Sequence, residues 1–75
     1  MIKNIYINTE FITLGQLLKL VGLISTGSEA KYFISDNLNR IRINGKHPQG
    51  RGTKIYPGMA VTIISTIYYI KKQEN

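Results

Sequence analysis

Residues 12–58 read ITLGQLLKLVGLISTGSEAKYFISDNLNRIRINGKHPQGRGTKIYPG, and this stretch decides the fold of the chain. It opens with two short patterns of helical period and continues into a basic segment of alternating period. Two turn signals punctuate the second half, Asn44-Gly45 and Tyr56-Pro57-Gly58. Short helices followed by strands predict an α+β fold.

The first helical pattern starts at a capping box. Thr13 and Gln16 have the spacing at which a hydroxyl accepts from the third helical amide and the third side chain reaches back. Four apolar residues then form one face at helical spacing: Leu14, Leu17, Leu18 and Val21. We expect Gly22 to end this helix, because glycine tolerates a left-handed conformation.

The second helical pattern repeats the first on a smaller scale. Thr26 and Glu29 have the spacing of a second capping box. An apolar stripe continues from there through Ala30, Phe33 and Ile34. Lys31 is predicted on the opposite face, beside the exposed end of Tyr32.

Beyond the helices, the pattern alternates as it does in a half-buried strand. Ile41 and Ile43 face one way, and a polar, basic outer face consists of Arg40, Arg42 and Asn44. The Asn44-Gly45 pair suits a tight turn that needs positive φ angles. We predict that Lys46 to Gly52 forms an exposed basic loop in which Arg51, between two glycines, can approach a phosphate.

The C-terminal third of the chain is β-prone. Pro57-Gly58 fits the centre of a type II turn, so we expect residues 54–56 and 60–64 to form an antiparallel pair. Residues 5–7 are predicted to add another strand. The segment Thr66 to Ile70 is a further strand, which we place within the chain rather than in a homodimer, the alternative use of such a strand.

Length and composition bound the class of protein. Seventy-five residues, 43% of them hydrophobic, suit one folded domain with one small core. We place the main motif at about residues 12–64 and a strand with a polar tail at 65–75. The lack of cysteine fits a reducing cytoplasm. The first four residues do not resemble a signal peptide, and the apolar run 59–70 is short of the ~20 residues that cross a bilayer.

The charge is concentrated in one part of the sequence. Ten Lys and Arg stand against four acids, which gives a net charge of +6. Five of the cations lie within a fifteen-residue stretch that contains no acid, namely Arg40, Arg42, Lys46, Arg51 and Lys54. Clustering of this kind favours a binding face for a polyanion over a generally solvated surface.

The sequence lacks the residue patterns of an enzyme. His47 is the single histidine and lies in the predicted loop, and the four acids are scattered. There is no phosphate-binding glycine signature and no spacing typical of metal ligands. We therefore predict a non-catalytic protein without a cofactor or metal.

Several of these segments together resemble a known family, the RNA-binding domain named after small-subunit ribosomal protein S4, and more narrowly its stand-alone bacterial YaaA-like branch. They follow the family's order over about two thirds of the chain, at residues 12–20, 27–35, 43–45 and 51–58. The resemblance implies an αL fold, in which two short helices pack on a small, mostly antiparallel sheet. It also implies binding of structured RNA, often ribosomal RNA, by a basic surface.

The resemblance supplies candidate RNA-binding residues. They are Lys19, Lys31, Arg42, Lys46, Arg51 and Lys54, and charge alone adds Arg40. Such cations would neutralise phosphates while the fold senses the shape of an RNA junction or duplex. Tyr32 and Tyr56 are candidates for stacking on unpaired bases, although half-buried packing is an equal interpretation.

The chain departs from the family pattern at several positions. Gly50 and Thr53 stand where the YaaA-like branch usually has basic residues, which predicts weaker RNA binding. Met59 replaces a common aspartate, and residues 35–40 form a segment about two residues longer than usual. The arginine and aspartate of the broader family are replaced by Thr13 and Gly15.

Two other functions stay open at this stage. The two helices are also compatible with a helix-turn-helix that binds DNA, but Lys31 would be the only basic residue of its second helix. Alternatively, the chain is a protein-interaction adaptor that offers its β-rich tail as an added strand.

Overall fold

The fold combines two helices with six strands and was obtained as a computed structural model that describes residues 1–74. In chain order the elements are β1 (Ile2–Ile7), β2 (Ile12–Thr13), α1 (Leu14–Leu20), α2 (Gly27–Asp36), a 3₁₀ turn (Leu38–Arg40), β3 (Ile41–Ile43), β4 (Lys54–Ile55), β5 (Ala60–Ile63) and β6 (Thr66–Lys72). This is the α+β arrangement predicted from the sequence.

The main sheet has four strands in the order β1-β6-β5-β3. β6 runs antiparallel to β5, which runs antiparallel to β3, whereas β1 joins β6 in parallel. The strands predicted at residues 5–7 and 66–70 are therefore confirmed. Because β6 is paired on both sides, it has no free edge for strand addition by a second copy or by the partner of an adaptor.

The start of α1 confirms the first capping box. The Thr13 hydroxyl accepts from the amide of Gln16 at 3.2 Å, and the Gln16 side chain accepts from the amide of Thr13 at 2.8 Å. At the other end, Gly22 has φ 82° and donates to Lys19, and Leu23 donates to Leu18. These two bonds form a Schellman motif, as expected from a glycine at this position.

The second capping box was predicted incorrectly. α2 does begin after Thr26, but the Thr26 hydroxyl donates to the Glu29 carboxylate at 3.3 Å and does not cap a backbone amide. The Ser28 hydroxyl oxygen lies 3.1 Å from the same Thr26 oxygen. The helix ends at Asn37, whose side chain donates to the Phe33 carbonyl at 3.0 Å, and the 3₁₀ turn follows. Arg40 lies in this turn and not in the strand where we placed it.

Both helices pack on one face of the main sheet. Leu14, Leu17 and Leu18 of α1 are fully buried, as are Ala30 of α2 and the inward residues of the central strands. They belong to one cluster with Ile7, Ile24, Ile34, Ile41, Ile43, Ile55, Val61, Ile63, Tyr68 and Ile70. Phe33 is half-buried against this core, in agreement with its predicted packing role.

The strand pairing predicted around Pro57-Gly58 is wrong. Lys54 and Ile55 pair with Thr13 and Ile12, not with β5, and form a separate two-stranded ribbon of β2 and β4. The turn itself forms, with Gly58 at φ 97° and the Met59 amide donating to Tyr56 at 3.1 Å. Its role is to carry the chain from the ribbon into the main sheet.

The residue at position 59 takes part in this turn. The Tyr56 amide donates to the Met59 sulfur at 3.4 Å, and Met59 is partly buried against the core. Where the family commonly has a carboxylate, Met59 therefore provides a sulfur acceptor and an apolar side chain that packs against the core.

Two tight turns follow strands of the main sheet. Asn44 and Gly45, at φ 50° and 82°, form the predicted turn, which closes on a bridge between Ile43 and Lys46. The hairpin of β5 and β6 turns at Ile64-Ser65, where Ile64 adopts φ 58°. A left-handed conformation is unfavourable for a β-branched residue, and the sequence carried no signal of it.

Candidate nucleic-acid interface

The basic loop is fixed to the start of α1 by its backbone. The Leu14 amide donates to the Thr53 carbonyl and the Gly15 amide donates to the Arg51 carbonyl, each at 2.9 Å. These amides belong to the first turn of a helix, where amide groups lack partners within the helix. The loop therefore supplies acceptors for two amides of the helix, and the same two bonds hold the loop in place.

Gly15 faces both the loop and α2. A Cβ atom at this position would lie 3.4 Å from the Arg51 Cβ and carbonyl oxygen and 3.6 Å from the Ala30 Cβ. The space at Gly15 is therefore bounded by both neighbours, and a side chain that extends beyond a Cβ would press on Arg51 and Ala30.

Thr53 holds the loop together internally. Its hydroxyl donates to the Gly50 carbonyl at 2.8 Å and accepts from the Gln49 amide at 2.9 Å. Gly50 has φ 119°, a conformation suited to glycine. The two positions where the family usually has basic residues are therefore used here to shape the loop. Pro48 is buried, so the predicted exposure of the loop is not uniform.

An open groove of about 360 Å³ lies where α1, the start of α2 and the loop meet. Its two cationic side chains are Lys19 and Arg51, both exposed. The rest of the lining is neutral, contributed by Thr13, Gly15, Gln16, Gly27 and Gly52. Three glycines open the backbone to an approaching ligand, and two cations supply attraction for an anion.

Arg51 also connects the loop with α2. Its Nη1 donates to the carbonyl of Gly27, the first residue of α2, at 3.2 Å. This carbonyl is a neutral partner, and the guanidinium has further N–H donors that can contact a ligand. The Arg51 side chain is thereby oriented at the groove, which a freely moving loop arginine would not be.

Lys54 lies in an aromatic cluster beside the groove. Its Nζ is 4.9 Å from the centre of the Phe11 ring, a cation–π contact. The rings of Phe11 and Tyr56 are 5.4 Å apart and tilted by 44°. Lys54 also pairs with Thr13 in the ribbon, which places it at the start of α1. The predicted stacking residue Tyr56 thus already has one ring contact within the chain.

The hairpin arginine lies away from the groove. Arg42 alternates with the buried Ile41 and Ile43, so it belongs to the sheet face opposite the helices. Its Nη1 donates to the carbonyls of Asn39 and Ile41 at 3.2 and 3.0 Å and is 3.3 Å from His47 Nδ1. His47 Nδ1 in turn lies 3.3 Å from the Leu38 carbonyl oxygen.

The remaining predicted residues are exposed at separate places. Lys46 follows the Asn44-Gly45 turn, and Arg40 is in the 3₁₀ turn, where its carbonyl accepts from Ile64 at 2.8 Å. Lys31 and Tyr32 lie on the solvent side of α2, with the Tyr32 side chain 68% exposed.

The structure therefore divides the predicted cations. It brings Lys19 and Arg51 to one groove with Lys54 beside it, and it places Arg42 on the other face of the sheet. Sequence reasoning missed Gly15 and Gly27 as groove residues and Phe11 as the partner of Lys54. The only local signal for Gly15 was a glycine in the first turn of an otherwise helical pattern.

The part of the chain that the structure describes, residues 1–74, has no cluster of three or more potential metal-ligating side chains. None of its helices is long and apolar enough to span a membrane. Its buried side-chain polar atoms all have hydrogen-bond partners.

Comparison with known proteins identifies the family. No solved structure matches the chain. A Bacillus subtilis (strain 168) protein named as a probable ribosome maturation protein, RlbA, is 43% identical over 63 residues, which cover 84% of this chain and 86% of that relative. The family model of the S4 domain matches residues 5–71, which include both helices, the basic loop and most of β6. The chain therefore belongs to the S4 domain family.

Proposed function

We propose that this protein binds structured RNA, without catalysis, through the face formed by α1, the start of α2 and the loop from Lys46 to Thr53. The observation that supports this most directly is the groove with Lys19 and Arg51. Membership of the S4 domain family and similarity to a protein named for ribosome maturation favour ribosomal RNA, or an RNA associated with the ribosome, as the target.

The chemistry of the groove suits a phosphate backbone. Arg51 supplies a planar set of donors that fits two oxygens of one phosphate, and Lys19 supplies a mobile point charge. Lys54 continues the positive charge past the end of α1, and Lys31 lies one helical turn beyond Gly27. In this proposal all four cations contact phosphates of the bound RNA, with Lys19 and Arg51 at the centre.

The rigidity of the groove favours recognition of shape over sequence. The loop is held by two backbone bonds to α1, by the internal bonds of Thr53 and by the contact between Arg51 and Gly27. Fixed cations fit phosphates at fixed separations, as in a duplex or junction, better than those of a flexible strand. Arg40 and Lys46 would then assist from the periphery, whereas Arg42 lies on the opposite face of the sheet.

The test is a binding series with a labelled ribosomal RNA fragment rich in duplex, an unstructured RNA and a DNA duplex, measured by fluorescence anisotropy at several salt concentrations. If roughly four to six phosphates are neutralised, the log-log salt slope for the structured RNA is about −3 to −5. We expect that RNA to be preferred near physiological salt. Equal, weak binding of all three ligands would contradict the proposal, and preference for the DNA duplex would replace it with the DNA-binding alternative.

The proposal includes a cellular setting. We infer a monomer that acts in the cytoplasm, where ribosomal RNA is found, and that needs no cofactor. Sedimentation of the free protein tests the monomer, and co-fractionation with ribosomal particles tests the cytoplasmic setting.

A further inference from the structure

The face of the main sheet opposite the helices is open. Both helices pack on the side formed by the inward residues of β1, β3, β5 and β6. On the other side, Ile2 and Tyr6 of β1 are 62% and 57% exposed and Tyr69 of β6 is 39% exposed. This outer face does not take part in the groove.

The strand register shows which side chains are neighbours on this outer face. One row across the sheet runs Ile2, Ile67, Thr62 and Arg42, the next runs Asn4, Tyr69 and Ala60, and the third pairs Tyr6 with Lys71. Tyr69 therefore lies between two short side chains, which leave its ring accessible from above. Tyr6 is one strand and two residues away from Tyr69, a separation of about 8 Å from ideal strand spacing.

The charge of the outer face has one sign. The four strands of the main sheet contain no aspartate or glutamate, as the structure bounds them. Lys71 is the direct neighbour of Tyr6, and Arg42 lies on the strand at the opposite edge. Tyr6 thus stands beside a cation, and Tyr69 has Lys71 two residues along its own strand, on the same face.

We propose that this outer face is a second nucleic-acid site, one that binds single-stranded RNA by stacking bases on Tyr6 and Tyr69 and contacting phosphates with Lys71 and Arg42. Aromatic rings on an open sheet, flanked by cations, are a general means of holding unpaired bases. The site lies on the face opposite the groove, so this proposal does not depend on the proposed function of the groove.

The chemistry of the face favours RNA over a protein partner. Aromatic rings such as that of Tyr69 occur both in protein interfaces and in RNA-binding sheets, so the charge of the face decides between the two. Its strands carry Lys71 and Arg42 and no carboxylate. A second copy of the chain would bring two positive faces together, which like-charge repulsion opposes. A flexible polyanion with aromatic bases matches both the charge and the rings.

The test measures anisotropy of a fluorescein-labelled oligouridine of about eight nucleotides with wild-type protein and with Tyr6→Thr and Tyr69→Thr. Threonine removes the ring and keeps a high strand propensity. We expect each substitution to weaken binding about fivefold or more, whereas Tyr6→Phe and Tyr69→Phe, which keep the ring, stay within about twofold of wild type.

A second comparison separates this site from the groove. Lys19→Gln with Arg51→Gln should leave oligouridine binding within about twofold, and the tyrosine variants should retain binding to duplex-rich RNA. Photocrosslinking of 4-thiouridine oligomers to the unaltered protein should label the β1 and β6 peptides, a result that does not depend on variants folding. Unchanged oligouridine binding in the threonine variants, crosslinks on α2 or the loop, or a tyrosine-dependent change in sedimentation without RNA would each overturn the proposal.

Discussion

Replacement of Gly15 tests how the basic loop is positioned. In Gly15→Val, the side chain extends beyond a Cβ that would itself lie 3.4 Å from Arg51 atoms and 3.6 Å from the Ala30 Cβ. The loop must move, and this movement disrupts the two 2.9 Å backbone bonds that join it to α1. At about 1 kcal/mol net for each bond, the disruption of both bonds lowers the free energy of unfolding by about 2 kcal/mol.

Gly15→Ala is the matched control, because its single methyl group makes contacts near ordinary van der Waals distance. Alanine also favours a helix by up to about 1 kcal/mol over glycine, so this variant should be at least as stable as wild type. Valine is intrinsically about 0.6 kcal/mol worse than alanine in a helix. We therefore expect the two variants to differ by about 2 to 3 kcal/mol, or roughly 10 to 20 °C in Tm for a chain of this size.

The assay is urea and thermal unfolding followed by circular dichroism, with RNA binding measured on the same samples. Gly15→Val should also weaken binding to structured RNA, since Arg51 moves with the loop. If the free energies of unfolding of the two variants differ by only about 0.6 kcal/mol, helix propensity alone explains the difference. The loop then does not depend on the space at Gly15, and the reasoning is refuted.

Three further predictions concern the cap, a strained turn and the groove charges. Thr13→Ala removes the side-chain cap of α1 and should lower the free energy of unfolding by about 1 kcal/mol in urea denaturation, and an unchanged value would count against the capping role. Ile64 is a β-branched residue in a left-handed conformation, and its side chain is 46% exposed. Ile64→Asn should relieve this strain and raise the free energy of unfolding by about 1 kcal/mol, seen as a higher Tm, whereas a lower Tm would contradict the strain. Lys19→Gln and Arg51→Gln should each reduce the magnitude of the log-log salt slope for structured RNA by about 0.7 to 0.9, whereas Lys3→Gln, an equal loss of charge on the outermost strand, should not.

The parts of the fold that sequence patterns predicted are those governed by neighbouring residues. The capping box of Thr13 and Gln16, the helix end at Gly22 and the turn at Asn44-Gly45 each depend on a few adjacent side chains. Turn and cap chemistry is specific at this range, because a positive φ or an unpaired amide requires particular residues. The resemblance to the S4 domain then gave the packing of the two helices on the sheet.

The incorrect strand pairing has a long-range cause. Residues on either side of a tight turn usually pair, which is why 54–56 were assigned to β5. Both edges of β5 are occupied by β3 and β6, so β4 has no place in the main sheet and pairs with Ile12 and Thr13 instead. Which strand pairs with a given edge depends on the topology of the whole sheet, and a local sequence pattern carries no information about that topology.

The groove shows the same division between local and distant information. The charges of Lys19 and Arg51 were visible in the sequence, but their convergence depends on contacts between residues 15 and 51 and between 27 and 51. The assignment of Arg42 to the same site could not be checked without the register of β3. Once β3 is paired, strand alternation places Arg42 on the opposite face of the sheet.

The central claim is that structured RNA binds in the groove between α1, α2 and the loop. The most direct measurement is a titration of ¹⁵N-labelled protein with duplex-rich ribosomal RNA, followed by the amide chemical shifts. The claim predicts the largest shifts at the backbone amides that line the groove, those of Gly15, Gln16, Lys19, Gly27, Arg51 and Gly52. Shifts that are centred on the outer face of the sheet, or that spread evenly over the basic surface, would contradict it.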